Sequence, residues 1–322
     1  MDALVELFSQ GQAWLFQAVV QPAMFAVGLA GFLEDGYDAS GWFLVGLLQL
    51  GVILLVIGPL ERWRPVEPVT DRATVRTDIV YTLIHRLGLF RLVIFFTLAP
   101  WVDSAIGVLR SHGLATLQLD DLWPGLTDLP WVSVLLYLVV FDFLNYWLHR
   151  AQHHFEWWWQ LHALHHAQRQ MTKWSDNRNH LLDDVVKDLF FAVVALAIGV
   201  APGQFVAIVA FTQLSESFQH ANLRVWFGAV GERLWVSPRF HRLHHGIGIG
   251  HETELKSTGT KVLGGHNFGV LLPWWDMLFG TADFSHQFVD TGVRNQIEEG
   301  VDYGRGFWSQ QWRGLLRLWN RP

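Results

Sequence analysis

Trp131-Val-Ser-Val-Leu-Leu-Tyr-Leu-Val-Val-Phe-Asp142-Phe-Leu-Asn145-Tyr-Trp-Leu-His149-Arg-Ala-Gln-His153-His154 decides how this chain is read. Residues 131–148 form an apolar run of about the length that crosses a bilayer as a helix. The run ends directly on His149, and His153 follows one helical turn later, on the same face. The spacing recurs at His162, His165 and His166, and again at His241, His244 and His245. One isolated histidine on an apolar face is ordinarily a core residue. Three sets at i, i+3 and i+4 aim imidazoles at common points and read as a metal site.

The rest of the composition agrees with a bilayer. The 322 residues are 51% hydrophobic and 16% charged, with 18 Trp and 23 Phe, against about 25% charged residues in a soluble globule. The absence of cysteine excludes disulfides, thiolate zinc sites, iron–sulfur clusters and a cysteine nucleophile. A net charge of −6 without a basic run argues against nucleic acid as a partner. The N-terminus lacks the positive flank of a cleaved signal peptide, so the apolar segments are expected to stay in the membrane. Arginine far outnumbers lysine, which favours a bacterial inner membrane over the endoplasmic reticulum.

Apolar segments are expected at 13–33, 41–60, 79–109 and 131–148. Between Val185 and Gln219 lies a stretch broken at Gly199, Pro202 and Gly203, read as a hairpin that dips into the bilayer and returns. Arginine enrichment at 61–78 and aspartates within 110–130 place the first linker inside and the second outside. The crossing at 131–148 then puts His149 on the cytoplasmic side, and the hairpin returns His220 to that same side. The expected fold is all-α: a polytopic membrane helical bundle with a cytoplasmic, histidine-rich helical cap holding a dinuclear metal site. Three regions follow: an N-terminal transmembrane region 1–130, a catalytic domain 131–282, and a tail 283–322. The tail's Trp308, Trp312, Leu315, Leu316 and Trp319 suit either an interfacial amphipathic helix or one packed on the core. Gly246-Ile-Gly248-Ile-Gly250 has no strand before it or helix after it and reads as a loop.

Ten histidines fit a shared site: His149, His153, His162, His165, His166, His180, His220, His241, His244 and His245. Neutral imidazole suits zinc, copper, iron and nickel. Ten nitrogens divide naturally over two ions. No Glu-x-x-His pair of the ferritin-like type occurs, nor any zincin HExxH. An all-nitrogen pair beside a bilayer points to iron and dioxygen. Metal-bound histidines donate their second N–H to a carboxylate or carbonyl, and the spacing offers Asp142 to His149 and Glu216 to His220. Asp176, Asp183 and Asp184 flank His180. Asn222 and Asn267 could orient a ligand or a metal-bound water, or cap a turn.

The boxes at His149/His153, His162/His165/His166 and His241/His244/His245 resemble those of the fatty acid hydroxylase/sterol desaturase superfamily of integral membrane di-iron enzymes. Tyr146-Trp147, His220-Ala-Asn222, Pro238, Asn267-Phe-Gly269, Trp275-Asp276 and Phe279-Gly-Thr281 extend the likeness over about 135–282. The resemblance implies that the ten histidines ligate two Fe. It implies O2-dependent hydroxylation of an unactivated C–H bond of a sterol, fatty acyl chain or other lipid drawn from the bilayer. Electrons would come from a separate ferredoxin- or cytochrome-type donor with its reductase. Cytoplasmic Arg150, Arg169, Arg178, Arg224, Arg233, Arg239 and Arg242 follow ordinary positive-inside bias, or else offer an acidic donor a docking face. Desaturation and ether cleavage are alternatives on the same site. A non-enzymatic membrane metal- or haem-binding protein is the alternative from another class. The surroundings of His180, Trp174-Ser-Asp176-Asn-Arg178-Asn-His180, differ from those of better-known sterol and fatty-acid members.

Overall fold

The structure, a computed structural model, describes residues 2–113, 115–248 and 265–319. Asp2–Leu15 (α1) runs on through a π-helical turn to Ala26, and Ala30–Trp63 (α2) follows a turn at Gly28. Arg72–Arg86 (α3), Leu89–Thr97 (α4) and Ala99–Ser111 (α5) come next. Pro130–His154 (α6) and Glu156–His166 (α7) are separated by Phe155 alone. Leu181–Ile198 (α8) and Pro202–Gln219 (α9) are joined through Gly199 at φ 72°. Gly228–Leu234 (α10), Pro238–His244 (α11), Trp274–Phe279 (α12), Arg294–Glu298 (α13) and Phe307–Trp319 (α14) complete the chain. Among the described residues the only β pairing is an isolated bridge, Gly246 to Thr291. The described part of the 246–250 glycine stretch is loop, and residues 249–264 lie outside the description.

The helix starts follow from local chemistry. Pro130, Pro202 and Pro238 each sit in the first turn of a helix, where proline's fixed φ helps and its missing N–H is not needed. Asp71 caps α3 by accepting from the Ala73 and Thr74 amides at 3.1 and 3.0 Å, and Ser237 caps α11 through Phe240 N at 3.1 Å, satisfying donors a helix start leaves free.

Among the described residues two helices are long and apolar enough to cross a membrane, α2 and α6. On α2, Gly46, Gln49, Ile53 and Ile57 are buried, while Leu47, Leu48, Leu54 and Leu55 are exposed. One face packs on protein, and the other presents bare leucine of the kind lipid covers. The expected segment 13–33 is not one helix, because the chain turns at Gly28 with φ 77°. The segment expected at 79–109 is likewise divided among α3, α4 and α5, with Gly88 at φ 76° between the first two. Positive φ is a conformation glycine adopts at little cost.

α14 packs on the protein along one face only. Gln310, Gln311 and Gly314 are buried against α7 and α3, while Trp308, Trp312 and Trp319 stand exposed on the opposite face. Three of the arginines expected to be cytoplasmic are buried and paired, which leaves them no part in docking a donor. Arg178 meets Asp78 at 2.6 Å, Arg239 meets Glu232 at 2.9 Å, and Arg242 meets Glu67 at 2.7 Å. A buried guanidinium needs such a partner, and these three brace the cap rather than its surface.

Candidate metal centre

Four helix ends deliver the histidines. His149 and His153 leave the last turns of α6; His162, His165 and His166 line α7; His220 caps the end of α9; His241, His244 and His245 close α11. Nine of the ten expected ligands converge in the interior. His149, His153, His162 and His166 form one group, and His165, His220, His241 and His245 a second. His166, His244 and His245 join the two, and within each group the ligand atoms lie within 4.8 Å of one another.

In the second group the spacing is tight. His220 Nε2 lies 3.1 Å from His165 Nε2 and 3.0 Å from His241 Nε2, and His245 Nε2 lies 3.1 Å from His241 Nε2. Metal–imidazole bonds of about 2.0–2.1 Å put neighbouring nitrogens at right angles about 3 Å apart, so these gaps suit ligands shared around one ion. Several buried ring nitrogens accept or donate no hydrogen bond, among them His162 Nε2, His166 Nε2 and His244 Nε2. Leaving buried polar atoms unmade is costly, and a cation is what this donor set lacks. Burial and the surrounding imidazoles hold His165, His166, His241, His244 and His245 well below the usual histidine range, and burial with the Lys187 charge lowers His220 to about 4. At neutral pH their rings are uncharged and their lone pairs free for a metal.

The opposite nitrogens of four rings are fixed. His149 Nδ1 donates to Phe268 O at 2.9 Å, His244 Nδ1 to His266 O at 2.7 Å, and His220 Nδ1 to Glu216 O at 2.8 Å. His162 Nδ1 faces Asp183 Oδ2 at 3.0 Å, while Asp183 Oδ1 accepts from Gln152 Nε2 and Trp158 Nε1, each at 2.7 Å. These contacts select the tautomer that turns Nε2 toward the site. Asp183 to asparagine is expected to weaken metal binding about 10–100-fold, read by chelator competition; an unchanged affinity would remove Asp183 from this role.

Two of those carbonyls flank Asn267, which holds φ at 58°, a conformation asparagine tolerates better than most residues. Its amide donates to Phe240 O and Asp283 O at 2.9 and 3.0 Å and accepts from Asp283 N at 2.6 Å. Asp276 takes the Phe268 and Gly269 amides at 2.8 and 2.7 Å. Asp142 takes those of Leu271 and Leu272 at 2.8 and 3.1 Å, and Trp275 Nε1 at 2.9 Å. The loop 265–272 is thereby clamped with both carbonyls aimed at ligands.

Several expectations are corrected here. His180 is outside the histidine groups: its Nε2 donates to Gln311 O at 2.9 Å and its Nδ1 accepts from Leu182 N at 3.2 Å, so both nitrogens are used in capping α8 and bracing α14. Asp142 touches no histidine; it holds the loop that does. Glu216 serves His220 through its backbone carbonyl, and its carboxylate turns to Lys187 at 3.8 Å. Asn222 tethers the linker between α2 and α3, accepting from Val66 N and Glu67 N and donating to Glu67 O. Asp183 was placed beside His180 by its spacing but serves His162, 21 residues earlier.

Residues 134–281, a span holding all nine grouped histidines, match the fatty acid hydroxylase family. That matched span is just under half of the chain. It is 27% identical to ornithine lipid hydroxylase OlsE of Rhizobium tropici, over 90% of this chain and 84% of that protein. It is 24% identical to alkylglycerol monooxygenase of Caenorhabditis elegans over 76% of this chain and 42% of that one. It is 27% identical to Delta(7)-sterol 5(6)-desaturase ERG3B of Gibberella zeae over 44% and 42% respectively. The chain thus covers less than half of the latter two proteins. No solved structure matches it. The names of these relatives, hydroxylase, monooxygenase and desaturase, are all those of oxidoreductases, and α2 and α6 are long and apolar enough to cross a membrane.

Proposed function

We propose that the nine grouped histidines hold two irons and that the protein hydroxylates an unactivated C–H bond of a membrane lipid. The observation that carries this reading is the pair of buried histidine groups bridged by His166, His244 and His245 at the end of a large, mostly apolar cavity. That cavity, about 900 Å³, lies among α1, α2, α4, α6, α8 and α9, near the top of the roughly 300–1,000 Å³ range of ligand sites. Its walls include Val19, Phe43, Phe141, Phe191, Phe205 and Ile208. Bound there, the irons would supply O2-dependent oxidation of the C–H bond, with electrons from a separate ferredoxin- or cytochrome-type donor and its reductase.

The protein's own residues then have defined tasks. The aromatic and aliphatic walls take the lipid chain and exclude water. Phe268 O, His266 O, Glu216 O and Asp183 hold ligand rings in one tautomer, and Asn267, Asp276 and Asp142 keep the carbonyl loop in place. Region 131–282 is read as the catalytic domain, 1–130 as the region that adds cavity wall, and 283–322 as a brace. The site is read as cytoplasmic and the membrane as a bacterial inner membrane, in line with the arginine distribution. Of the arginines weighed for docking a donor, Arg169, Arg224 and Arg233 remain exposed.

Lipid mass spectrometry of cells with and without the gene tests the reading. A lipid heavier by one oxygen only when the gene is present is the expected result. Loss of two hydrogens instead would establish the desaturase reading, and loss of an alkyl chain from an ether lipid the ether-cleaving one. An unchanged lipid profile would contradict all three.

A further inference from the structure

The large apolar cavity ends in a polar floor. Asn145, Asp176, Asn179, Asp184, Lys187 and Glu216 line both this cavity and the smaller void that reaches His149, His162, His165, His220 and His241. A lipid oxidised in the middle of its acyl chain would meet an apolar wall next to the metals. Here whatever part of the substrate reaches the histidines crosses a layer of charged and amide side chains, which only a polar group can satisfy.

The charges on that floor do not balance. On and around the floor, apart from Asp183, which is engaged by Gln152, Trp158 and His162, four carboxylates, Asp176, Asp184, Asp188 and Glu216, stand against three cations, Arg86, Arg91 and Lys187. Arg86 Nη2 binds Asp176 Oδ2 at 2.7 Å, Lys187 Nζ lies 3.8 Å from Glu216 Oε1, and Arg91 acts on Asp188. Asp184 is the remaining acid. It is 8% exposed, and its Oδ2 accepts no hydrogen bond. The nearest basic atom is His85 Nε2 at 3.4 Å, which has no hydrogen-bond partner either. The other carboxylates on the cavity wall, Asp35, Asp38 and Asp142, bring no cation with them. Burial and the carboxylates of Asp183 and Asp188 push the Asp184 carboxyl well above its usual range, and the Lys187 charge and a hydrogen bond from Asn179 offset this only in part.

We propose that the cavity takes a lipid with a cationic amine headgroup, docked on Asp184 next to the histidines, with its hydrocarbon chains in the apolar chamber. This rests on the proposed lipid-oxidising function and adds which end of the lipid faces the metals. An ammonium offers three donors and one positive charge, which matches the orphaned Asp184 oxygen and the missing charge. Asn145 and Asn179 add neutral polar groups beside it for the rest of the headgroup.

The test is equilibrium binding of dodecylamine, 1-dodecanol and dodecanoate to the purified full chain in an uncharged detergent at pH 7. Dodecylamine is expected to bind at least about tenfold more tightly than 1-dodecanol, and dodecanoate more weakly than either. Asp184→Asn should remove the amine's advantage and leave the 1-dodecanol affinity unchanged. If that variant does not fold, Asp188→Asn serves in its place and should reduce the advantage. Equal binding of amine and alcohol, or an advantage that survives the substitution, would overturn the proposal and assign the surplus acid to balancing the metals' charge. Iron content, measured on the same protein, keeps the two readings apart. Amine preference without iron defeats the proposed function alone, and iron without amine preference defeats this inference alone.

Discussion

Replacing His165 with alanine is expected to abolish O2-dependent product while the protein stays in the membrane. His165 belongs to the group completed by His220, His241 and His245, and its Nε2 is 3.1 Å from that of His220. Removing it leaves three nitrogens and a void where the fourth stood. Losing merely the partner of a ligand costs about 10–100-fold, so loss of the ligand itself is expected to exceed 100-fold. Bound metal should fall from about two to about one per chain, because the group built on His149, His153 and His162 does not include His165. His180→Ala is the control, since both nitrogens of His180 are engaged by Gln311 O and Leu182 N. That variant should keep its full metal content even if α14 loosens. Metal retained by His165→Ala and lost by His180→Ala would reverse the ligand assignment.

Gly46→Ala is expected to give the largest loss of stability of any small substitution in the bundle. A Cβ on Gly46 would lie 1.7 Å from Arg86 O and 2.6 Å from Arg86 C. The obstacle is backbone, so no rotamer change relieves it, and α2 and α3 must move apart. Close approach through a small residue is how membrane helices pack. Separating them would also strain the buried bonds of Arg86 to Asp176, Gln213 O and Ser217, at 2.7, 2.9 and 2.9 Å. The expected cost is about 3 kcal/mol or more, seen as a lowered midpoint of thermal unfolding in detergent. Gly51→Ala, on the same helix with no atom within 4 Å of the added Cβ, should leave the midpoint within a degree or two. Equal effects from the two would contradict the packing described.

How much could be read beforehand depended on how local each signal was. The i, i+3 and i+4 spacing on α6, α7 and α11 is a property of one helix, and it pointed eight histidines inward. His220 was added from its place after an apolar stretch, and the fold brings it to the others. His180 looked the same in the sequence, but what its ring meets is Gln311, 131 residues later. The acids divide in the same way. Asp142 and Glu216 were assigned by spacing along their own helices, yet an α-helical carbonyl can take the role at no cost in charge, and at His220 it does. Asp183 holds His162 across two helices, a pairing that no spacing rule contains. The carbonyl loop around Asn267 was visible only as Asn-Phe-Gly, because its function lies in backbone atoms that every residue has. Hydropathy marked the cores of α2 and α6 but ran past the turns at Gly28 and Gly88, where one glycine at positive φ redirects the chain without altering mean hydropathy.

The central claim is that two ions of iron sit in the nine-histidine centre, and elemental analysis of the purified full chain tests it most directly. The expected result is about two iron atoms per chain, with a His245→Ala variant, which sits in both the second group and the bridging one, falling to one or fewer. A single ion per chain, zinc in place of iron, or a wild-type content that His245→Ala leaves unchanged would contradict it.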